Sequence, residues 1–168
     1  MGVIFDLDQT LVDSLVAKQE RQARNWDAVY LKIPQFKVYD GIESILKILN
    51  DQNIPVCIVT SSPRSYCEKV LSYFGIKVRF CICYHDSRSH KPHPEPIEIA
   101  KNRLINEYRC RSIISIGDTK ADLIASQKAN VLSIAASWGS EEPEFLKQPN
   151  ADYIFESPLD FYNWLCKY

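Results

Sequence analysis

The sequence predicts an α/β protein, a parallel sheet flanked by helices with one short helical insert. Two observations predict it. Short apolar runs alternate along the chain with segments of helical period, which is the signature of successive βαβ units. Several of those runs end in carboxylate, hydroxyl or glycine residues just before a helix, at the sheet edge where open α/β folds take ligands. A chain of 168 residues is enough for one domain with a sizeable core and too short for two ordinary ones. Residues 1–168 are therefore read as a single domain.

The elements follow in order. Residues 3–5 form a buried strand. Residues 14–30 read as one helix, with Trp26, Val29, Tyr30 and Ile33 at helical spacing and Pro34 to end it. Residues 41–52 are a second helix, with Ile42, Ile45, Leu46 and Leu49 on one face. The β-branched run 55–60 is a buried strand. Residues 64–74 are helical and stop at Gly75, suited to the position after a helix. A strand at 80–84 precedes a helix at 94–106, whose Pro94 fits a first turn. Residues 112–117 are a strand, and Asp118 or Thr119 caps a helix reaching about 128. A strand at 131–134, a weaker one at 153–155 and a helix at 159–167 complete the pattern. There are no repeats, low-complexity tracts or linkers.

Composition excludes several classes. The net charge is −1, with Lys and Arg mixed among Asp and Glu, so there is no basic stripe for nucleic acid. No apolar stretch is long enough to span a membrane. The chain opens on a strand rather than a charged segment before an apolar one, so no secretion signal is read. Asp6 stands where the lipidation pattern after Met1-Gly2 needs a small hydroxyl. Of six cysteines, Cys57, Cys81 and Cys83 lie in apolar runs, and Cys67, Cys110 and Cys166 are scattered. They read as reduced structural thiols of a cytoplasmic protein. His85, His90 and His93 lie near Cys81 and Cys83, and are read as a polar loop rather than a zinc site.

Four segments carry the chemistry. The first strand ends in Asp6-Leu7-Asp8-Gln9-Thr10. If the strand continued, Asp6 and Asp8 would share a face. Two such anions repel unless a cation or shared proton intervenes, and a hard divalent cation such as Mg²⁺ accepts oxygen ligands. The second strand end carries Thr60-Ser61-Ser62, whose hydroxyls and free N–H groups suit a phosphate oxygen or an ordinary helix cap. Lys91 precedes Pro92, which favours an extended Lys91. Gly117-Asp118 and Asp122 place two carboxylates at a strand–helix junction and one turn into the helix, on the same side.

This ordered set resembles the haloacid dehalogenase superfamily, in particular its phosphatase branch. The resemblance covers nearly the whole chain. Its tail, from Asn130-Val131 to Trp138-Gly139 and at Ala151-Asp152-Tyr153-Ile154, looks like that of the phosphoglycolate-phosphatase-like group. The resemblance implies a Rossmann-like sheet and an Mg²⁺-dependent phosphatase acting through an aspartyl phosphate. Asp6 would be the nucleophile and Asp8 the acid and base. Thr10 would support the loop and count with Thr60, Ser61 and Lys91 among the substrate-binding residues. Lys91 would also neutralise charge at Asp6. Asp6, the Asp8 carbonyl and Asp118 would hold the metal, with Asp122 in or behind that set. Dehalogenases lack the second acid, so Asp8 favours phosphate chemistry. Gln9 departs from the glycine usual at its position.

The insert, residues 14–39, is short beside the helical cap usual in the resembled group. It would leave the site open to a bulky phosphorylated substrate, or to cover by a second copy of the chain. Lys18, Arg21 and Arg24 recur at i, i+3, i+6 and read as a solvated basic face or as a contact for an anionic substrate. The alternative to an enzyme is a binding or regulatory protein that uses the fold to sense phosphate.

Overall fold

The computed structural model describes residues 1–141 and 151–167. Its centre is strand β1 (Gly2–Phe5), where Val3, Ile4 and Phe5 are wholly buried. After it come β2 (Val12–Asp13), the short helices α1 (Lys18–Gln22) and α2 (Trp26–Lys32), and β3 (Lys37–Val38). Helix α3 (Ile42–Asp51), strand β4 (Val56–Val59), helix α4 (Arg64–Tyr73) and strand β5 (Phe80–Ile82) follow. The second half is α5 (Glu95–Tyr108), β6 (Ile113–Gly117), α6 (Lys120–Lys128), β7 (Leu132–Ala136), β8 (Tyr153–Phe155) and α7 (Pro158–Leu165).

Six strands form one parallel sheet in the order β5-β4-β1-β6-β7-β8. The chain first builds outward from β1 through β4 to β5, then returns to β6 on the other side. That reversal puts the carboxyl ends of β4, β1 and β6 side by side, and such a switch point opens a crevice. Strand alternation sorts the core into two layers. Val3, Phe5, Ile58 and Ile116 pack with Ile42, Ile45 and Leu49 of α3, Tyr66 and Val70 of α4, and Phe161 of α7. Ile4, Cys57 and Val59 pack with Ile97, Ala100 and Leu104 of α5 and with Ala125 of α6.

The sequence expectation of one helix over 14–30 does not hold. The segment is a 3-10 turn (Leu15–Ala17) and then α1 and α2, parted at Arg24, whose φ is 55°. The Asn25 side chain accepts from the Ala28 N–H and starts α2 afresh. Strands β2 and β3 pair antiparallel, Val12 with Val38 and Asp13 with Lys37, and so tie the two ends of the insert together. The strand expected over 80–84 ends at Ile82, because Cys83 leads into a 3-10 turn (Tyr84–Asp86). No helix among the described residues is long and apolar enough to cross a membrane.

Candidate active site

The Asp6 N–H donates to the Ile116 carbonyl at 2.9 Å, which carries the β1–β6 ladder one residue beyond the strand and fixes Asp6 at its tip. The chain then turns. Asp8 bridges to Val12, and the Gln9 N–H donates to the Val12 carbonyl at 2.7 Å. Gln9 sits at φ 62°, a region glycine enters without steric cost. Its side-chain amide compensates. The oxygen accepts from the N–H groups of Ser14 and Leu15 at 3.0 Å each, and the nitrogen donates to the Tyr39 hydroxyl at 2.7 Å. Gly139 packs directly on this turn. A Cβ there would lie 1.6 Å from the Gln9 carbonyl oxygen.

Asp6, Asp118 and Asp122 gather at the adjoining tips of β1 and β6, and one oxygen of each lies within 4.8 Å of the others. Gly117 permits this, since a Cβ there would stand 2.3 Å from the Asp122 Cβ. Lys91 comes from the loop between β5 and α5 and is buried against the trio. Its ammonium donates to Asp6 Oδ1 at 2.7 Å, Asp122 Oδ1 at 2.5 Å and the Val59 carbonyl at 3.0 Å. Burial alone would favour the neutral amine, but Asp122 and Asp6 outweigh it and hold the ammonium above its ordinary value.

One lysine does not balance three acids. Burial, with the like charges of Asp122 and Asp8 and against the pull of Lys91, lifts the Asp6 carboxyl to about 7. Burial, with the charges of Asp6 and Asp122, lifts Asp118 to about 9. The Asp122 oxygens are taken, Oδ1 by Lys91 and Oδ2 by the Thr119 N–H (3.1 Å) and hydroxyl (2.5 Å) in a capping box that opens α6. Asp118 Oδ1 accepts from Thr10 at 3.0 Å. Among the described residues, Asp6 Oδ2 and Asp118 Oδ2 have no such donor. A hard cation fits this donor set, which is all carboxylate, short of positive charge and left with open oxygens.

A cavity of about 420 Å³ lies over the trio. Asp6, Lys91, Asp118 and Asp122 line its floor and Thr60 and Ser61 one side. Thr60 is oriented by its own helix entry, for its hydroxyl accepts from the Ser62 N–H at 3.1 Å. The insert adds Lys18, Arg21, Arg24 and Trp26 to the lining, so the basic set faces the cavity rather than bulk solvent alone. Arg21 pairs with Asp8 at 3.2 Å, Lys18 with Glu141 at 2.5 Å, and the Arg24 guanidinium lies 5.5 Å from the centre of the Tyr84 ring.

Asp8 lines the same cavity as Asp6 but stands outside the carboxylate trio. The strand ends at Phe5, and the Asp8 side chain lodges among Ser14, Ser62, Tyr66 and Arg21. One expectation needs correcting. Thr10 does not line the cavity. It is fully buried and holds Asp118, which makes it a support and not a substrate contact. The histidines make local contacts, and His85 also lines the cavity. His90 stacks on Tyr84 at 3.9 Å, His85 meets the same ring edge-on at 5.0 Å, and His93 accepts from the Glu95 N–H at 3.2 Å. Ser14 and Tyr66, which with Ser62 surround Asp8, were not singled out by sequence. Tyr66 had a signal, a phenol on the buried stripe of α4, whose hydroxyl needs a partner.

Comparison with known proteins agrees with this geometry. Pyrophosphatase PpaX of Oceanobacillus iheyensis is 31% identical over 157 residues, 92% of this chain and 70% of that protein. A phosphoglycolate phosphatase of Haemophilus influenzae is 25% identical over 122 residues, 71% of this chain but only 54% of its own length. In fold, a hydrolase from Pseudomonas syringae aligns with a TM-score of 0.80 at 21% identity, covering 99% of this chain and 98% of that one. CbbY from Rhodobacter sphaeroides, solved in complex with phosphate, aligns with a TM-score of 0.78 at 14% identity, covering 95% of each chain. The model of the haloacid dehalogenase-like hydrolases matches residues 15–136. That span holds Thr60, Lys91, Asp118 and Asp122 and begins after Asp6 and Asp8, which rest on the geometry at the tip of β1. This protein belongs to the haloacid dehalogenase-like hydrolase family.

Proposed function

We propose that this protein is an Mg²⁺-dependent phosphatase that hydrolyses a phosphomonoester through an aspartyl phosphate on Asp6. The observation that carries the reading is the buried Lys91, held between Asp6 and Asp122 beneath a cavity rimmed by further cations. Lys91 fixes Asp6 Oδ1 and leaves Oδ2 to attack phosphorus. A carboxylate that forms such an ester divides hydrolysis into two easier steps. Thr60 and the Ser61 N–H take phosphoryl oxygens. Asp8 protonates the leaving oxygen, then activates the water that cleaves the intermediate. Asp6, Asp118 and the Asp8 carbonyl would hold Mg²⁺, which supplies positive charge to the phosphoryl oxygens. Asp122 acts mainly by holding Lys91 and Thr119. Phosphoryl transfer depends on such positioning and charge neutralisation.

The segment 14–39 serves as a reduced cap. Its basic wall suits a substrate with a second anionic group, and phosphoglycolate and pyrophosphate, suggested by the names of the relatives, are the first to try. The free cysteines, most of them buried, fit a reducing cytoplasm. Hydrolysis of an aryl phosphate with Mg²⁺, lost in chelator, supports the reading, and phosphoglycolate and pyrophosphate then compete for the site. Tight phosphate binding without turnover would replace it with a sensing role.

A further inference from the structure

Asp8 is gripped from two sides. Its Oδ1 accepts from Ser14 Oγ at 2.6 Å and from Tyr66 Oη at 2.5 Å. Its Oδ2 accepts from Ser62 Oγ at 3.1 Å and faces Arg21 Nη1 at 3.2 Å. Ser62 and Arg21 line the cavity; Ser14 and Tyr66 do not. One oxygen is thus turned into the protein and the other towards the cavity.

Tyr66 is wholly buried on α4. Its ring lies 5.5 Å from Trp26, which opens α2, and 6.4 Å from Phe36, just before β3. The phenol is therefore wedged against the insert while its hydroxyl reaches Asp8. A carboxylate oxygen only accepts, so the hydroxyl serves as the donor.

We propose that Tyr66, with Ser14, is a positioning residue that fixes Asp8 so that Oδ2 is the proton-transfer atom. The proposal rests on the phosphatase reading. In the first step Asp6 Oδ2 bonds to phosphorus, the bond from phosphorus to the leaving oxygen breaks, and the proton on Asp8 Oδ2 passes to that oxygen. In the second step a water oxygen bonds to phosphorus, the Asp6–phosphorus bond breaks, and one water proton returns to Asp8 Oδ2. Ser62 accommodates both states, because a hydroxyl can donate or accept. An anionic substrate gives Arg21 a second partner during the cycle. The hydroxyl of Tyr66 does not touch the reacting atoms. It sets which Asp8 oxygen meets them, and its ring links that orientation to the seating of the insert.

The test compares wild type, Tyr66→Phe and Asp8→Asn on an alkyl phosphate and on p-nitrophenyl phosphate, with Mg²⁺. An alkoxide needs its proton during departure and p-nitrophenolate does not. Tyr66→Phe keeps the ring and removes the hydroxyl. It should lower kcat/KM, which reports leaving-group departure and not the later hydrolysis common to both esters, about tenfold on the alkyl ester, a fraction of the 10²–10⁴ that general acid catalysis supplies. On the aryl ester the change in kcat/KM should stay below about twofold. Asp8→Asn should show the same bias more steeply. A merely structural role would slow both substrates alike, and equal losses, or an unaffected alkyl rate, overturn the proposal. If Asp8→Asn discriminates between the esters and Tyr66→Phe does not, only the positioning claim falls. If wild type hydrolyses neither ester, or Asp8→Asn shows no bias, the catalytic reading falls and takes the proposal with it. Should Tyr66→Phe not fold, Ser14→Ala strips the other donor from Oδ1 and is judged by the same criteria.

Discussion

Replacing Lys91 with Met should destabilise the protein strongly and in a pH-dependent way. The ammonium lies 2.7 Å from Asp6 Oδ1 and 2.5 Å from Asp122 Oδ1, with only 6% of its side chain exposed. At the 2.7 Å separation a unit pair attracts by ~6 kcal/mol in an effective dielectric of about 20. Desolvation cancels much of that, and removing one partner of a buried pair costs about 3–5 kcal/mol net. Methionine fills the space but leaves Asp6, Asp118 and Asp122 without their cation. Asp6 already stands at about 7 and Asp118 at about 9 in the folded protein, above the ordinary value of 3.8. Without Lys91 they shift further up. Carboxyls raised in this way favour the folded state while protonated, and that advantage is lost as pH rises through their folded values. The deficit is therefore expected to approach the full 3–5 kcal/mol only at about pH 10, above those folded values, and to be smaller at about pH 5, where protons replace the missing charge. Urea unfolding of both proteins at the two pH values, in chelator, measures this. A deficit under about 1 kcal/mol at the higher pH, or one that grows on acidification, would refute the electrostatic account of the trio.

Four further outcomes follow from the same geometry. Protons and Mg²⁺ compete for Asp6 and Asp118, so the rise in Tm caused by Mg²⁺ should grow between about pH 6 and about pH 9; a pH-independent rise would place the metal elsewhere. Chelator should abolish turnover, and Ca²⁺, with longer bonds and more ligands, should inhibit it. Arg24→Ala should raise KM for an anionic natural substrate and hardly change kcat, as loss of uniform binding does, whereas Arg21→Ala also disturbs Asp8, which it pairs with at 3.2 Å. Gln9→Ala keeps the φ of 62° but loses the three amide contacts, and should cost about 2–3 kcal/mol in urea unfolding. Gln9→Gly should cost less because glycine relieves the backbone, and the reverse order would contradict the role given to that turn.

The sequence was most legible where one local rule sufficed. Apolar runs ending at Asp6, Thr60 and Gly117 located three adjacent strand tips, and βαβ alternation implied that they lie side by side. The insert was less legible. Its apolar set at Trp26, Val29 and Ile33 has an unbroken helical period, and periodicity does not register the left-handed turn at Arg24. Strands β2 and β3 are two residues each, too short to show alternation. The partners of Asp8 were not legible, because the strand that would set its direction ends at Phe5. Its partners Tyr66 and Ser62 are 58 and 54 residues away, a separation only the tertiary fold closes. The resemblance sets Thr10 among loop-supporting and substrate-binding residues, and its separation from Asp118, 108 residues in sequence, hid the hydrogen bond that occupies it.

The central claim is that Asp6 carries the phosphoryl group. Its most direct test is to quench the working enzyme in acid during turnover of an aryl phosphate with Mg²⁺ and to locate any phosphoryl group by peptide mass spectrometry. The account predicts one phosphoryl group on the peptide containing Asp6, absent without Mg²⁺ and absent in a folded, inactive Asp6→Asn variant. A phosphoryl group on another residue, or an Asp6→Asn variant that still turns over the substrate, would contradict it.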